Sequence, residues 1–263
     1  MSREFLRYSE DTKYLQDIND WTEEKLVKLN QKKTKQILFN FNRDKQFTTK
    51  IELKNEPLEI VDEVKLLGVI ISNDLKWHKN TSYLTKKANR KMRMLHIAAK
   101  FTRNREHLKH IYKTFIRSNL EFSSTVWHSG LSMADRQDLE RVQKAAVKVI
   151  LGKDYVNYEE ALSELKLESL NTRRETMALK FVKNSLENKN FSKLFPVKEV
   201  KHGMKSRQSE KYVVKFSNTN RHKDSAVPYL QGLLNRDDFE RRQNLKRLFL
   251  DIKIDKGRNR IIG

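Results

Sequence analysis

The apolar positions of the chain change period near residue 78. Over residues 14–30, Tyr14, Leu15, Ile18, Trp21 and Thr22 fall on one side of a 3.6-residue repeat, with Leu26 and Leu29 extending the row, and this predicts a first helix. Residues 35–41 (KQILFNF) are short and rich in strand formers, and a polar turn over 42–46 follows. Ile51 and Leu53 then alternate, Asn55-Glu56-Pro57 turns the chain, and Leu58 and Ile60 resume the alternation. Residues 64–72 (VKLLGVIIS) are the most apolar run and predict one continuous strand. Residues 1–78 thus predict a helix on a small antiparallel sheet.

From Lys79 the spacing is helical. Leu84, Ala88, Met92, Leu95 and Ala99 share a face, and Lys86, Lys87, Arg90, Lys91 and Arg93 lie around it. A second helix is expected over 105–120, with Leu108, Ile111, Tyr112, Phe115 and Ile116 inward. Its Lys109, Lys113 and Arg117 recur every four residues as a basic stripe. A third is expected over 134–151 with Leu139, Val142, Ala146, Val149 and Ile150 as its apolar face, and 158–165 and 172–186 continue the series. After Phe195-Pro196 the pattern weakens: 202–210 reads as a polar loop and 211–217 (KYVVKFS) as a short strand. Short helices are expected over 226–234 and 239–252, and 255–263 reads as a loose tail. The fold class is α+β, mostly α. Its expected parts are an α+β segment (1–78), a helical domain (79–195) and a loosely ordered basic C-terminal region (196–263).

Composition supports that picture. Only 7 Gly and 3 Pro in 263 residues favour long helices over a many-turned β fold, and 37% hydrophobic residues allow a lean core. The absence of cysteine excludes disulfides and Cys-containing zinc sites, and is compatible with an intracellular setting, nucleus or cytoplasm. No run approaches the ~18–20 apolar residues of a membrane span, and residues 1–10 lack a hydrophobic signal core. No membrane partner is expected.

Charge adds a location. The chain carries 55 basic and 34 acidic residues, for a net +21, but residues 1–78 hold 14 of each. Residues 79–117 hold 12 basic residues and a single acid, Glu106, so about half of the excess sits in one short segment. With almost no i, i+4 carboxylates to compensate, such a face invites a polyanion. The bland alternative is a solvated helix face. Lys86, Lys87, Arg90, Lys91, Arg93, Lys109, Lys113 and Arg117 are the candidate phosphate contacts.

Other candidates weigh less. Trp21, Trp77 and Trp127 read as core or core edge. His107 and His110 read as a hydrated surface pair rather than metal ligands. Tyr8-Ser9-Glu10-Asp11 reads as a helix start, with Ser9 as cap and two acids in the first turn. Gly68, inside an apolar run, fits either a bulge or tight helix–sheet crossing, or close approach of a nucleic-acid backbone; at least one of Leu66 and Leu67 is expected in the core.

The order of these segments resembles the reverse transcriptases of non-LTR (LINE, jockey-like) retrotransposons. Trp21-Thr22, Lys28-Leu29-Asn30 and Lys32-Lys33-Thr34-Lys35 are similar to the W…KLN.KKTK signature before the last palm strand. Lys65-Leu66-Leu67-Gly68-Val69 with Leu75-Lys76-Trp77 resembles the primer grip. Ile116-Arg117-Ser118-Asn119-Leu120-Glu121, Val126-Trp127-His128 and Leu139-Glu140-Arg141-Val142-Gln143-Lys144 resemble the thumb. Tyr158-Glu159-Glu160-Ala161-Leu162, Leu167-Glu168-Ser169-Leu170 with Arg173-Arg174, and Ser225-Ala226-Val227-Pro228-Tyr229 with Leu233-Leu234-Asn235 continue the series.

The resemblance implies a palm edge and thumb of an RNA-directed DNA polymerase that bind RNA, DNA or an RNA–DNA hybrid through phosphates. Leu66, Leu67 and Gly68 would be the primer-grip-like residues. Mg2+ is implied only for a complete polymerase. The chain by itself is expected to be a truncated, catalytically inactive piece without metal, cofactor or catalytic residues of its own. A longer product supplying the metal site, a helical protein-interaction module and a decaying reading frame are the other readings.

A palm edge standing alone would leave Ile37, Phe39, Val69 and Ile71 partly exposed beside an unpaired strand edge. Concentration-dependent self-association is therefore expected in light scattering, and a monomer indifferent to dilution would contradict it.

Overall fold

In the computed structural model, helix α1 spans Arg3–Glu24, and buried polar residues decide which way it faces. Asn19 and Thr22 are buried, Thr22 Oγ1 donating to the Asn19 carbonyl at 2.8 Å, and Lys54 ties Glu23 to the neighbouring loop at 2.9 Å. Most of the expected row is turned outward: Tyr14, Ile18, Trp21 and Leu26 are each more than half exposed, Leu15 and Leu29 are half-buried, and of the row only Thr22 is buried. Trp21 is thus not core. The structure describes residues 3–27, 29–41, 50–54, 56–198, 211–217 and 219–240, with side chains from residue 12 onward. Because α1 begins at Arg3, Ser9 lies within the helix and is not its cap; the side chains of Tyr8, Ser9, Glu10 and Asp11 lie outside the described ones.

Three short ladders replace the single antiparallel sheet. Strand β1 (Lys35–Gln36) pairs in parallel with β4 (Glu59–Ile60), and β2 (Glu52–Leu53) pairs antiparallel with β3 (Glu56–Pro57). Gln36 explains the break. Its buried side-chain Oε1 accepts the Ile51 N–H at 3.0 Å, so a side chain stands where a strand partner would. Pro57 has no N–H to extend the β2–β3 pair. The expected turn over 42–46 lies outside the described residues.

The run 64–72 is a hairpin, not one strand. β5 (Glu63–Leu66) and β6 (Val69–Ser72) pair in register from Glu63↔Ser72 to Leu66↔Val69. Leu67 (φ +47°) and Gly68 (φ +89°) form the two-residue turn. Both φ values are positive, the pattern of a type I′ turn, whose twist suits paired strands; glycine takes it freely and leucine at some cost. Against the expectation that at least one of them is core, both leucines are exposed, Leu66 at 55% and Leu67 at 88%. Val69 is buried, against expectation, while Phe39 is 47% exposed and Ile37 and Ile71 are half-buried. The hairpin is held to the start of α2 (His78–Phe101): Asn80 Oδ1 accepts the Ile70 N–H at 3.1 Å, and Lys79 pairs with Glu63 at 2.7 Å.

The chain divides into one unit through Leu84 and a second from Thr85. The second is helical. After α2 come α3 (Arg105–Ile111), a π-helical stretch (Tyr112–Arg117), and the short α4 (Ser118–Leu120) and α5 (Ser124–Trp127). Then follow α6 (Met133–Leu151), α7 (Tyr158–Glu164), α8 (Leu170–Ser185), α9 (Lys189–Ser192), α10 (Asn220–Lys223) and a last helix over 226–240. Ser132 and Asp135 close a capping box at the start of α6, satisfying two free backbone donors. Leu139, Val142, Ala146 and Ile150 are buried as the sequence predicts, and α6 packs on α3, α7 and α8. Gln143, fully buried, accepts from the Tyr112 hydroxyl and donates to Tyr158 Oη at 2.7 Å and to the Glu168 carbonyl at 3.0 Å.

The C-terminal region is less loose than expected where it is described. Tyr212, Leu230, Leu233 and Leu234 pack with Ala178, Val182 and Phe195 in one apolar cluster. The strand expected over 211–217 amounts to a bridge between Val197 and Tyr212. The 202–210 loop, the tail from 255, and all but the first two residues of the helix expected over 239–252 lie outside the described residues.

A buried polar knot joins α5 to α8. Trp127, His128 and Arg174 are each at most 1% exposed, and Arg174 Nε donates to His128 Nδ1 at 3.2 Å while its guanidinium lies 5.8 Å from the Trp127 ring centre. Burial, reinforced by Arg174 and Arg136, pushes the His128 pKa down to about 3. The imidazole is therefore neutral in the folded chain. An unfolded histidine titrates near 6.5, so the stability this residue supplies is complete above pH ~6.5 and is lost as pH falls from there toward 3. Denaturant unfolding should show up to about 1.4 kcal/mol lost per pH unit between 6.5 and 4.5. His128→Asn should flatten that slope, and an equally steep slope in the variant would refute the assignment.

Candidate nucleic-acid interface

Helix α2 carries seven basic residues (Lys79, Lys86, Lys87, Arg90, Lys91, Arg93 and Lys100) and no carboxylate. Its apolar face explains why it folds that way: Ala88, Met92 and Leu95 are buried at 88, 92 and 95, one helical stripe, so the cations are displaced to the opposite side. Lys86, Lys87, Arg90 and Arg93 are exposed, and among the described residues none has an ion-pair partner. Residues 86, 90 and 93 follow one line along the helix. Lys91 is half-buried and donates to Asn119 Oδ1 at 3.4 Å. Beyond Arg93 the same exposed face turns apolar, with Met94 and Ile97 at 45% and Phe101 at 85% exposure.

The second half of the basic cluster is built differently. Lys109 is buried and bonded to Glu106 Oε1 at 2.6 Å, and it holds the Glu106 carboxyl below its usual range. Arg117 is half-buried, 3.7 Å from Glu121, which also accepts a bidentate pair from Arg173 at 2.6 and 3.3 Å. That bond raises the Arg173 pKa. Lys113 stands between them with no ion pair among the described residues; partial desolvation, then Lys109 and Arg117, lower its pKa, and Glu106 opposes them. Arg105 is clasped by both Asp154 and Glu164.

Of the eight candidate cations, Lys86, Lys87, Arg90 and Arg93 form an exposed stripe on α2, and Lys91 is half-buried beside Asn119. Lys109, Lys113 and Arg117 form a row along α3 and the π-helical stretch, in which the first and last are paired with acids. Lys109 and Arg117 meet acids at local spacing, Glu106 at i−3 and Glu121 at i+4. Arg105 is paired instead by Asp154 and Glu164, 49 and 59 residues along the chain, which no signal within the basic segment could have named.

Leu66, Leu67 and Gly68 belong to the first unit, at the tip of the β5–β6 hairpin. Together the two leucines give the tip an apolar surface that sequence reasoning had placed partly inside. His107 and His110 are exposed. Of the three tryptophans, Trp127 is core, its Nε1 donating to the Phe122 carbonyl at 2.9 Å, Trp77 is half-buried and Trp21 is exposed.

No protein-family model, curated protein or solved structure matches the chain. Among the described residues, no helix is long and apolar enough to cross a membrane, and no three His, Asp or Glu side chains gather as a metal site would require.

The wedged row makes a differential prediction. Glu121→Gln leaves Arg117 and Arg173 half-buried without their counter-charge and should lower unfolding stability by about 3 kcal/mol. Lys113→Met removes a cation set between Lys109 and Arg117 with no ion pair among the described residues, and should leave stability unchanged or raise it by up to about 1 kcal/mol. Denaturant titration of both variants checks this; a larger loss from Lys113→Met than from Glu121→Gln would contradict it.

Proposed function

We propose that the chain is a nucleic-acid-binding part of a reverse transcriptase of the non-LTR retrotransposon type, gripping a template–primer duplex through its phosphates. The observation that carries this reading is the α2 stripe of Lys86, Lys87, Arg90 and Arg93, exposed and without carboxylate partners among the described residues. A solvated face would gain from interspersed acids, and this one has none. The ordered motif resemblance supports the same reading and supplies its class. The contacts are sequence-independent, since a row of cations reads phosphate spacing and not base edges. An RNA–DNA hybrid is the favoured partner on the strength of the resemblance alone. The reading assigns this chain binding and not catalysis. Mg2+ chemistry would belong to a complete polymerase.

A helical protein-interaction module is the second reading, favoured by Met94, Ile97 and Phe101 on the same face. Salt separates the two. Fluorescence anisotropy with a labelled RNA–DNA hybrid should show log K falling linearly with log salt, by about 0.9 in slope per phosphate contact. The triple variant Lys86→Ala, Arg90→Ala, Arg93→Ala should lower that slope by about 3. Affinity that ignores both salt and the triple change would sink the phosphate-binding reading.

A further inference from the structure

The second unit holds a cleft of about 340 Å³ where α2 ends and α6 ends. That is the low end of the range for small-molecule pockets and suits one planar group better than a stacked run. Its lining is apolar, cationic and, at Asp154, acidic, that carboxylate being held by Arg105. Ala99, Leu108 and Val149 supply apolar surface; Arg103 and Lys153 are exposed cations that have no ion-pair partner among the described residues. Arg105, the third cation of the lining, is already occupied by Asp154 and Glu164, so it stiffens the wall and is not a free anion ligand.

The electrostatics give the cleft a polarity. The last turns of α2 and α6 both line it, and helix C-termini carry partial negative charge. A phosphate is unwelcome against those carbonyl ends but welcome beside Arg103 and Lys153. A ligand that fits both has a flat, partly apolar body with amine donors at one end and an anion at the other. Phe101, 85% exposed on the last turn of α2 and next in sequence to Thr102 of the lining, offers an aromatic face outside the cleft itself. The exposed stripe from Lys86 to Arg93 runs along α2 toward this end.

We propose that this cleft seats one unpaired nucleotide, its base against Ala99, Leu108 and Val149, its phosphate on Arg103 and Lys153, and Phe101 stacking on the neighbouring base. The assignment rests on the phosphate-binding reading of α2 and sharpens it: the preferred partner is a duplex continuing into a single strand, not a blunt duplex. Base–aromatic stacking is sequence-tolerant and strong enough to be seen in affinity.

The test uses the full chain and two fluorescent RNA–DNA hybrids of equal duplex length, one blunt and one with a short adenosine overhang. The overhang should tighten binding by at least about fivefold, the equivalent of ~1 kcal/mol from one stacked base. Phe101→Ala, and separately the pair Arg103→Gln and Lys153→Gln, should each bring the overhang hybrid to within about twofold of the blunt one. All three positions are exposed, so circular dichroism should show the variants folded. Salt-dependent binding of the blunt hybrid with no gain from the overhang overturns the cleft assignment alone, as does a gain that survives both variants. Salt-independent binding of the blunt hybrid overturns the broader reading as well.

Discussion

The helical unit depends on a hydrogen-bonded chain running through Gln143 and Glu140, one turn apart on α6. The Tyr112 hydroxyl donates to Gln143 Oε1, Gln143 Nε2 donates to Tyr158 Oη, and the Tyr158 hydroxyl donates to Glu140. Glu140 also accepts the Leu170 N–H at 3.1 Å, capping the start of α8 with a carboxylate where the helix dipole favours one. Four elements meet in this chain: the π-helical stretch, α6, α7 and α8. Each bond is directional, so their angles are set more narrowly than apolar packing alone would set them. Buried polar atoms are costly when unpaired, and a satisfied network of this kind specifies one arrangement over its neighbours.

That arrangement governs the distribution of charge. Fixing α8 against α4 brings Arg173 to Glu121, and fixing α7 brings Glu164 to Arg105. Cations on α3 and the π-helical stretch are thereby drawn into the body of the unit. Those on α2 are not, because α2 spends its inward face on Ala88, Met92 and Leu95 and has no acid of its own. The basic segment 79–117, uniform by composition, is thus two surfaces: one largely paired with acids, one exposed and without ion pairs among the described residues.

Much of this was legible in the sequence because helical periodicity is local. The inward faces of α2 and α6 followed from apolar spacing, and the mostly helical α+β class followed with them. What was not legible depended on contacts distant along the chain. Local counting found one acid among twelve bases and could not foresee that Asp154 and Glu164 clasp Arg105, or that Arg173 joins Arg117 on Glu121. The hairpin turn at Leu67–Gly68 was hidden because leucine is a poor turn residue, so the run read as one strand. Residues 1–78 were read least well. Apolar alternation there predicted a sheet, but Gln36 uses its side chain in place of a strand, and Asn19 and Thr22 turn α1 away from its own apolar row. For the candidate site, the residues were named from charge density, while their division into two groups, and the cleft beyond Phe101, needed three-dimensional neighbours.

The π-helical stretch acts as a phase adjuster. An α-helix advances about 100° per residue, and a wide turn absorbs one extra residue without breaking the rod. Leu108, Tyr112 and Ile116 are buried at four-residue intervals, which a plain α-helix would spread over about 80°, and the wider turn draws them back toward one face. The length of this one segment is therefore a hidden coordinate of the fold. It keeps the Tyr112 hydroxyl aimed at Gln143 while Arg117, at the other end, still reaches Glu121.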